Sequence, residues 1–218
     1  MTKQEDLKIG INNMYASMYS SHPSFVLGFH GCDKSIVQEV LYDQTRLKSS
    51  NNDYDWLGHG IYFWENNPQR ALEYAQTLSK NPHLGKGFIQ EPAVLGAIID
   101  LGYCLNLFES KSLMLMKQSY DLLSKSTTEL PQNKSVGSDS DLLLRYLDCA
   151  VIEYLHAYNK LNGYRSYDSV KGGFIEGKEL YPNAGFKEKN HIQICIINPN
   201  CIKGYFAPLK PLRGHSIP

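Results

Sequence analysis

Residues 93–101, AVLGAIIDL, are apolar at both alternating sets of positions. A strand with one wet face alternates apolar and polar side chains, so this run belongs inside a sheet that is covered above and below. Other strands must flank it and helices or a second sheet must cover it, which excludes an all-helical bundle and a bare hairpin.

Five further stretches have strand character. Residues 24–30 (SFVLGFH) mix β-branched and aromatic side chains and stop at Gly31, and 57–64 (LGHGIYFW) reads as a glycine-led strand. The others are 172–176 (GGFIE), 191–197 (HIQICII) and 204–207 (GYFA). Helical spacing appears loosely over 7–20, then after Ser35, which can cap a run carrying Ile36, Val37, Val40 and Leu41. Pro68 suits the first turn of another helix with Ala71, Leu72, Ala75 and Leu78 on its buried face. Residues 105–124 and 141–162 turn helical again, the second with a stripe from Leu142 to His156, and the polar stretch 125–140 between them reads as a loop. Asp100 is placed to cap the turn after the central strand. The reading is one α+β domain over 1–218, with a helical insertion at about 105–167 and two sheet halves meeting at a cleft.

Composition narrows the function classes. Lys plus Arg and Asp plus Glu both number 22, so no global field steers the chain to nucleic acid or an anionic membrane. The longest apolar runs are far too short to span a bilayer and residues 1–10 lack the apolar core of a signal peptide. The expected location is the cytoplasm, or delivery by a route that needs no cleavable signal. Cys32, Cys104, Cys149, Cys195 and Cys201 are scattered and never form a C-x-x-C pair, which argues against a disulfide framework or a structural zinc site; no metal is expected.

Two short motifs carry the chemistry. Gly28-Phe29-His30-Gly31 ends a strand on a histidine and a glycine, and Leu57-Gly58-His59-Gly60-Ile61-Tyr62-Phe63 is followed by a helix bearing Ala71 and Tyr74. Their order, spacing and context over about residues 26–75 resemble the NAD-binding core of the ADP-ribosyltransferases, in the diphtheria-toxin and poly(ADP-ribose) polymerase branch known by its His-Tyr-Glu triad. A weaker echo runs over 172–206. The resemblance implies a split β-sandwich of two small antiparallel sheets flanked by helices, and NAD+ as a consumed co-substrate. It implies that the backbone of Gly31 grips the nicotinamide amide, that His30 bonds the adenosine ribose, and that Tyr62 and Tyr74 sandwich the nicotinamide ring. Cys32, Gly60, Phe63 and Ala71 would complete the binding surface.

In the family a glutamate opens the fifth strand. Here His191 takes that place and Gln193 follows on the same face, with Glu188 and Glu176 as nearby carboxylates. The missing carboxylate favours transfer of a single ADP-ribose over chain elongation. Residues 177–189 (GKELYPNAGFKEK) occupy the place of the target-recognition loop, and exposed Tyr181 and Phe186 would touch a macromolecular acceptor, protein or nucleic acid. A small transferase of this kind suits a toxin, effector or defence protein, whose counterpart would be an inhibitory antitoxin or immunity protein. NAD glycohydrolysis, RNA 2′-phosphate removal with NAD as acceptor, and a non-catalytic NAD or ADP-ribose binding module are the competing readings.

Each residue also has a plainer reading. His30 could be a satisfied core histidine, Tyr62 a core aromatic, His59 a loop residue, and Trp56 and Trp64 rim packing. Arginine is sparse, which weighs against a phosphate-handling site.

Overall fold

The computed structural model describes residues 25–82, 87–136 and 141–216. The helix expected over 7–20 lies outside the described residues.

The chain runs β1 (Val26–Asp33), α1 (Lys34–Tyr42), β2 (Ile61–Glu65), α2 (Pro68–Lys80), β3 (Pro92–Ile99), β4 (Cys104–Asn106), α3 (Ser110–Ser126), α4 (Tyr146–Leu161), β5 (Ser169–Phe174), β6 (His191–Ile196) and β7 (Ile202–Phe206). The strands form one seven-stranded mixed sheet in the order β4-β5-β6-β2-β1-β3-β7. The apolar run at 93–99 is interior, between β1 and β7, as its lack of alternation requires. In place of the two small antiparallel sheets implied by the resemblance there is one mixed sheet, in which β2 pairs antiparallel with β6.

Local chemistry sets the ends of the helices. Asp33, not Ser35, caps α1: its carboxylate accepts from the Ser35 amide at 2.9 Å and from the Gln90 and Glu91 amides at 2.7 and 2.9 Å. Those bonds hold its carboxyl far below the ordinary carboxylate range. Asn67 caps α2 through the Arg70 amide at 3.0 Å, with Pro68 in the first turn. Asp100 does close the following turn, accepting from Gly102 N at 3.0 Å.

Side chains alternate across the sheet, and the register sorts them into two layers. Cys32, Ile61, Phe63, Leu95, Ile99, Ile194 and Ile196 lie on one face, with Val40 of α1 in the same cluster. The opposite face is divided. Phe29 and Trp64 pack with Ala71 of α2, and Leu57, Val170 and Cys195 pack with Ile152 and Leu155 of α4. The stretch read as an insertion is thus part of the architecture. It is the crossover between the parallel strands β4 and β5, and α4 covers half of one face. Ser119 of α3 ties the helix pair together by donating to Val151 O at 2.8 Å. Among the described residues no helix is long and apolar enough to cross a membrane.

Candidate functional site

The ladder between β1 and β2 is short. It pairs Gly28 with Glu65 and Phe29 with Trp64, and Asn66 N donates to Leu27 O at 2.8 Å. Alternate residues of a strand direct their N–H and C=O groups to the same neighbour, so Leu27, Phe29 and Gly31 all face β2. Beyond Phe29 the pairing stops, and Gly31 and Tyr62 form no rung. The His30 imidazole replaces the missing rung, with Nδ1–H donating to the Tyr62 carbonyl at 2.8 Å. That bond fixes the tautomer and leaves Nε2 as an acceptor. Burial lowers the pKa of His30, against the smaller opposing effect of the carbonyl, so the ring is neutral near pH 7. Gly31 is required here because a Cβ at this position would lie 2.0 Å from Ala71 O, so α2 rests directly on the strand.

Tyr62 is fixed at both ends. Its hydroxyl donates to Gly58 O at 2.6 Å and accepts from Leu57 N at 2.8 Å, clamping the turn at Gly58, whose φ is +76°. Its ring packs against the cluster of Leu57, Ile152 and Cys195, and burial pushes the phenol well above its ordinary pKa. Tyr62 pairs with Cys195 and projects from the face opposite His30. The expectation that the two rings face one crevice is thereby corrected: they meet as imidazole edge to backbone carbonyl. Tyr74 packs elsewhere, its ring 5.0 Å from that of Trp64 and tilted by 46°, where the resemblance had it sandwich the nicotinamide ring with Tyr62.

Several expected cofactor contacts are structural. Phe63 is fully buried and supports the His30 ring edge-on at 5.9 Å. Cys32 is a core residue whose thiol is pushed up to about 12 by burial and the Asp33 charge. Gly60 exchanges both backbone bonds with Ser50, and Ala71 is buried beneath Gly31. His59 is held by Glu153, which accepts from its amide at 2.7 Å and lies 3.4 Å from its ring.

The third position is a closed cage. The His191 side chain is 1% exposed. It stands among Phe174, Trp56 and Trp64, with ring centroids 5.6, 6.1 and 6.4 Å away. Nδ1–H donates to Lys189 O at 2.6 Å, and burial lowers the pKa of the ring. Glu176 Oε2 lies 4.0 Å from Nδ1 and is held by Arg70 at 3.0 Å, with Lys189 Nζ 3.5 Å from its other oxygen. Buried nitrogens without partners gather here: His191 Nε2, Trp64 Nε1, Arg70 Nε and Arg145 Nε. Gln193 projects from the same face, opposite Trp64 and Gly172. Of the fallback carboxylates, Glu176 joins the cage and Glu188 stays exposed in the hairpin 177–189. That hairpin carries Tyr181 and Phe186, both mostly exposed, and is anchored where Asp141 accepts from Gly177 N at 2.7 Å.

Arg70, Arg145 and Trp56 were not expected at the site. Trp56 Nε1 donates to Leu143 O at 2.8 Å, and the Arg145 guanidinium lies over the Trp56 and Phe174 rings. The one available signal was Arg70 beside the buried stripe of α2; the other two arrive from distant segments. Among the described residues no cluster of His, Cys, Asp or Glu could hold a metal ion.

This chain is similar to a protein of Methanocaldococcus jannaschii whose name says only that it is uncharacterized, with 27% identity over 194 residues, 80% of this chain and 83% of the relative. No family model and no solved structure matches the chain significantly.

Proposed function

We propose that this protein is an NAD-dependent mono-ADP-ribosyltransferase acting on a macromolecular acceptor, with the opening between β1 and β2 as its nicotinamide site. One observation carries the reading: the ladder ends at Phe29–Trp64, which turns the N–H and C=O of Gly31 toward a gap that His30 lines. A carboxamide needs one donor and one acceptor side by side, and a glycine backbone supplies both without a side chain in the way. His30 Nε2 is placed to accept from a ribose hydroxyl.

The division of labour follows from the residues. Cleavage of NAD passes through an oxocarbenium-like ribose with neutral nicotinamide leaving, so the protein has to grip, shield and orient more than donate protons. Tyr62, neutral and clamped on the opposite face, fixes the strand whose carbonyl at that position holds the His30 ring. The hairpin 177–189 presents Tyr181 and Phe186 to the acceptor. His191 and Gln193 stand where the family carries a carboxylate, which supports transfer of one ADP-ribose per acceptor.

A second reading has one observation in its favour: Arg70, Arg145 and Lys189 gather near His191, a cationic grouping that a phosphate-handling enzyme would need. Glu176 and Asp148 pair those cations, so the grouping offers little net charge to a phosphate. Incubation with NAD labelled in the adenosine half tests the transfer reading. Nicotinamide release with labelled macromolecule supports transfer, release with free ADP-ribose alone supports glycohydrolysis, and no release with a raised melting temperature supports a binding module.

A further inference from the structure

The seven-stranded sheet has two edges, β4 and β7. β4 is only three residues long, and shortness by itself protects an edge from further pairing. β7 has five residues, Ile202–Phe206, with no proline and with Lys203 as its one charge. Its inner side pairs with β3, so alternate residues direct N–H and C=O groups outward, where no described strand takes them. This edge lies along a groove of about 450 Å³, a volume typical of ligand sites.

The opposite wall of the groove is the end of α1 and the turn that leaves it. Thr45 N donates to Glu39 O at 3.4 Å and Gln44 takes a left-handed φ of +53°, which ends the helix and sets residues 44–46 beside β7. Val40, Leu41 and Ile202 supply the apolar lining. Arg46 and Lys203 are the charged lining residues, and no carboxylate accompanies them. Lys203 Nζ donates to Asn200 O at 2.9 Å and lies 3.7 Å from Asp100. Arg46 stands near the Tyr205 hydroxyl, which accepts from the Leu47 amide.

An open strand edge, an apolar floor and two cations are what strand addition requires: main-chain bonds supply affinity and side-chain contacts supply selectivity. We propose that this groove binds an extended acidic peptide as a further strand beside β7, with a peptide carboxylate against Arg46. Alternate peptide side chains then fall toward Val40, Leu41 and Ile202, and the others point to the opposite face. Room exists there, since a Cβ on Gly204, which pairs with Ile98, would meet nothing within 4 Å. Pairing of β7 with a second copy of itself is disfavoured, because it would bring two sets of Arg46 and Lys203 onto one short ladder. The site makes no use of NAD and stands independently of the transfer reading.

The test titrates the full chain with short peptides of alternating valine and threonine that end in glutamates. Both peptide termini are blocked, so the glutamates carry the only charge. Saturable binding is expected, with amide hydrogen exchange slowed in β7 when peptide is present. Proline in place of the central valine removes a main-chain donor and should abolish binding. Lysines in place of the glutamates should weaken it by about tenfold or more, the worth of a charge-assisted hydrogen bond. Arg46→Glu alters an exposed residue and should reverse that preference, a swap that misfolding cannot produce. No binding of the acidic peptide, binding indifferent to proline or to Arg46→Glu, or β7 exchange unchanged by bound peptide overturns the proposal. So does β7 protection that rises with protein concentration alone, which would assign the edge to a second copy.

Discussion

The opening beside His30 and the cage around His191 are both built from aromatic and titratable side chains, yet they close their hydrogen bonds differently. At the opening, His30 Nδ1 and the Tyr62 hydroxyl are each matched to backbone at 2.6–2.8 Å. In the cage four buried nitrogens have no partner. An unsatisfied buried polar atom costs about 1–3 kcal/mol, so the first region holds its side chains with matched bonds, and the second carries unmatched hydrogen-bonding capacity at a cost in stability. On the proposed reading, the contrast gives shape to one region and recognition chemistry to the other.

The sharpest way to break that assignment is Gly31→Ala. Its Cβ would lie 2.0 Å from Ala71 O, forcing α2 off the strand at an overpacking cost of about 1–3 kcal/mol. Displacement of a positioning group by an ångström costs about 100-fold in rate, so nicotinamide release should fall by at least about that factor while the chain still melts cooperatively. Release near the unaltered rate would mean that Gly31 does not border the site.

Tyr62→Phe probes the neighbouring strand more gently. It strands Leu57 N and leaves Gly58 O only the Cys195 thiol at 3.6 Å, and the melting curve should register a loss of about 1–3 kcal/mol. Because the phenol stays neutral and its hydroxyl is spent on the turn, release should fall by less than about tenfold. A loss of about 100-fold or more would show that the hydroxyl itself does the work.

Acidity separates the regions more weakly. Burial lowers the pKa of His30, His156 and His191, so the unfolded chain binds protons that the folded chain refuses. Their contribution to stability is therefore complete above the ordinary imidazole pKa of about 6.5 and is lost as the pH falls through that value toward the lowered ones. Thermal melts between pH 7.5 and 5 should show a falling melting temperature. His191→Gln, with no group to titrate, should flatten that fall; an unchanged slope would place the burden on the other two imidazoles.

How much of this was legible in the sequence depends on the range of each interaction. β6 begins at His191, where its alternation begins, and the interior position of β3 followed from its unbroken apolar run. Three-residue β4 was absorbed into a helical reading because Cys104–Asn106 is too short to show a period. Asp33 took the cap from Ser35 because it also binds the amides of Gln90 and Glu91, more than fifty residues on. The cage was out of reach for the same reason. Arg70 and Glu176 are 106 residues apart, and Trp56 and Leu143 are 87 apart. Local periodicity places each residue on its element and says nothing of which distant carboxylate or carbonyl it will meet.

The smallest effect is expected from Trp64→Phe, and it bears most directly on the contrast between the regions. The indole Nε1–H has no partner, so deleting it removes a group that is buried at a loss. Smaller packing offsets that gain, since the ring also contacts Tyr74 and His191. Stability should change by less than about 1 kcal/mol, the range of well-tolerated apolar exchange. If the unmatched nitrogens are kept for a ligand, the stabilisation that saturating NAD gives the folded chain should shrink in this variant while its ligand-free melting temperature holds. A variant that melts lower without NAD and gains as much from NAD as the unaltered chain would make Trp64 a packing residue and leave the cage with three candidate donors and acceptors.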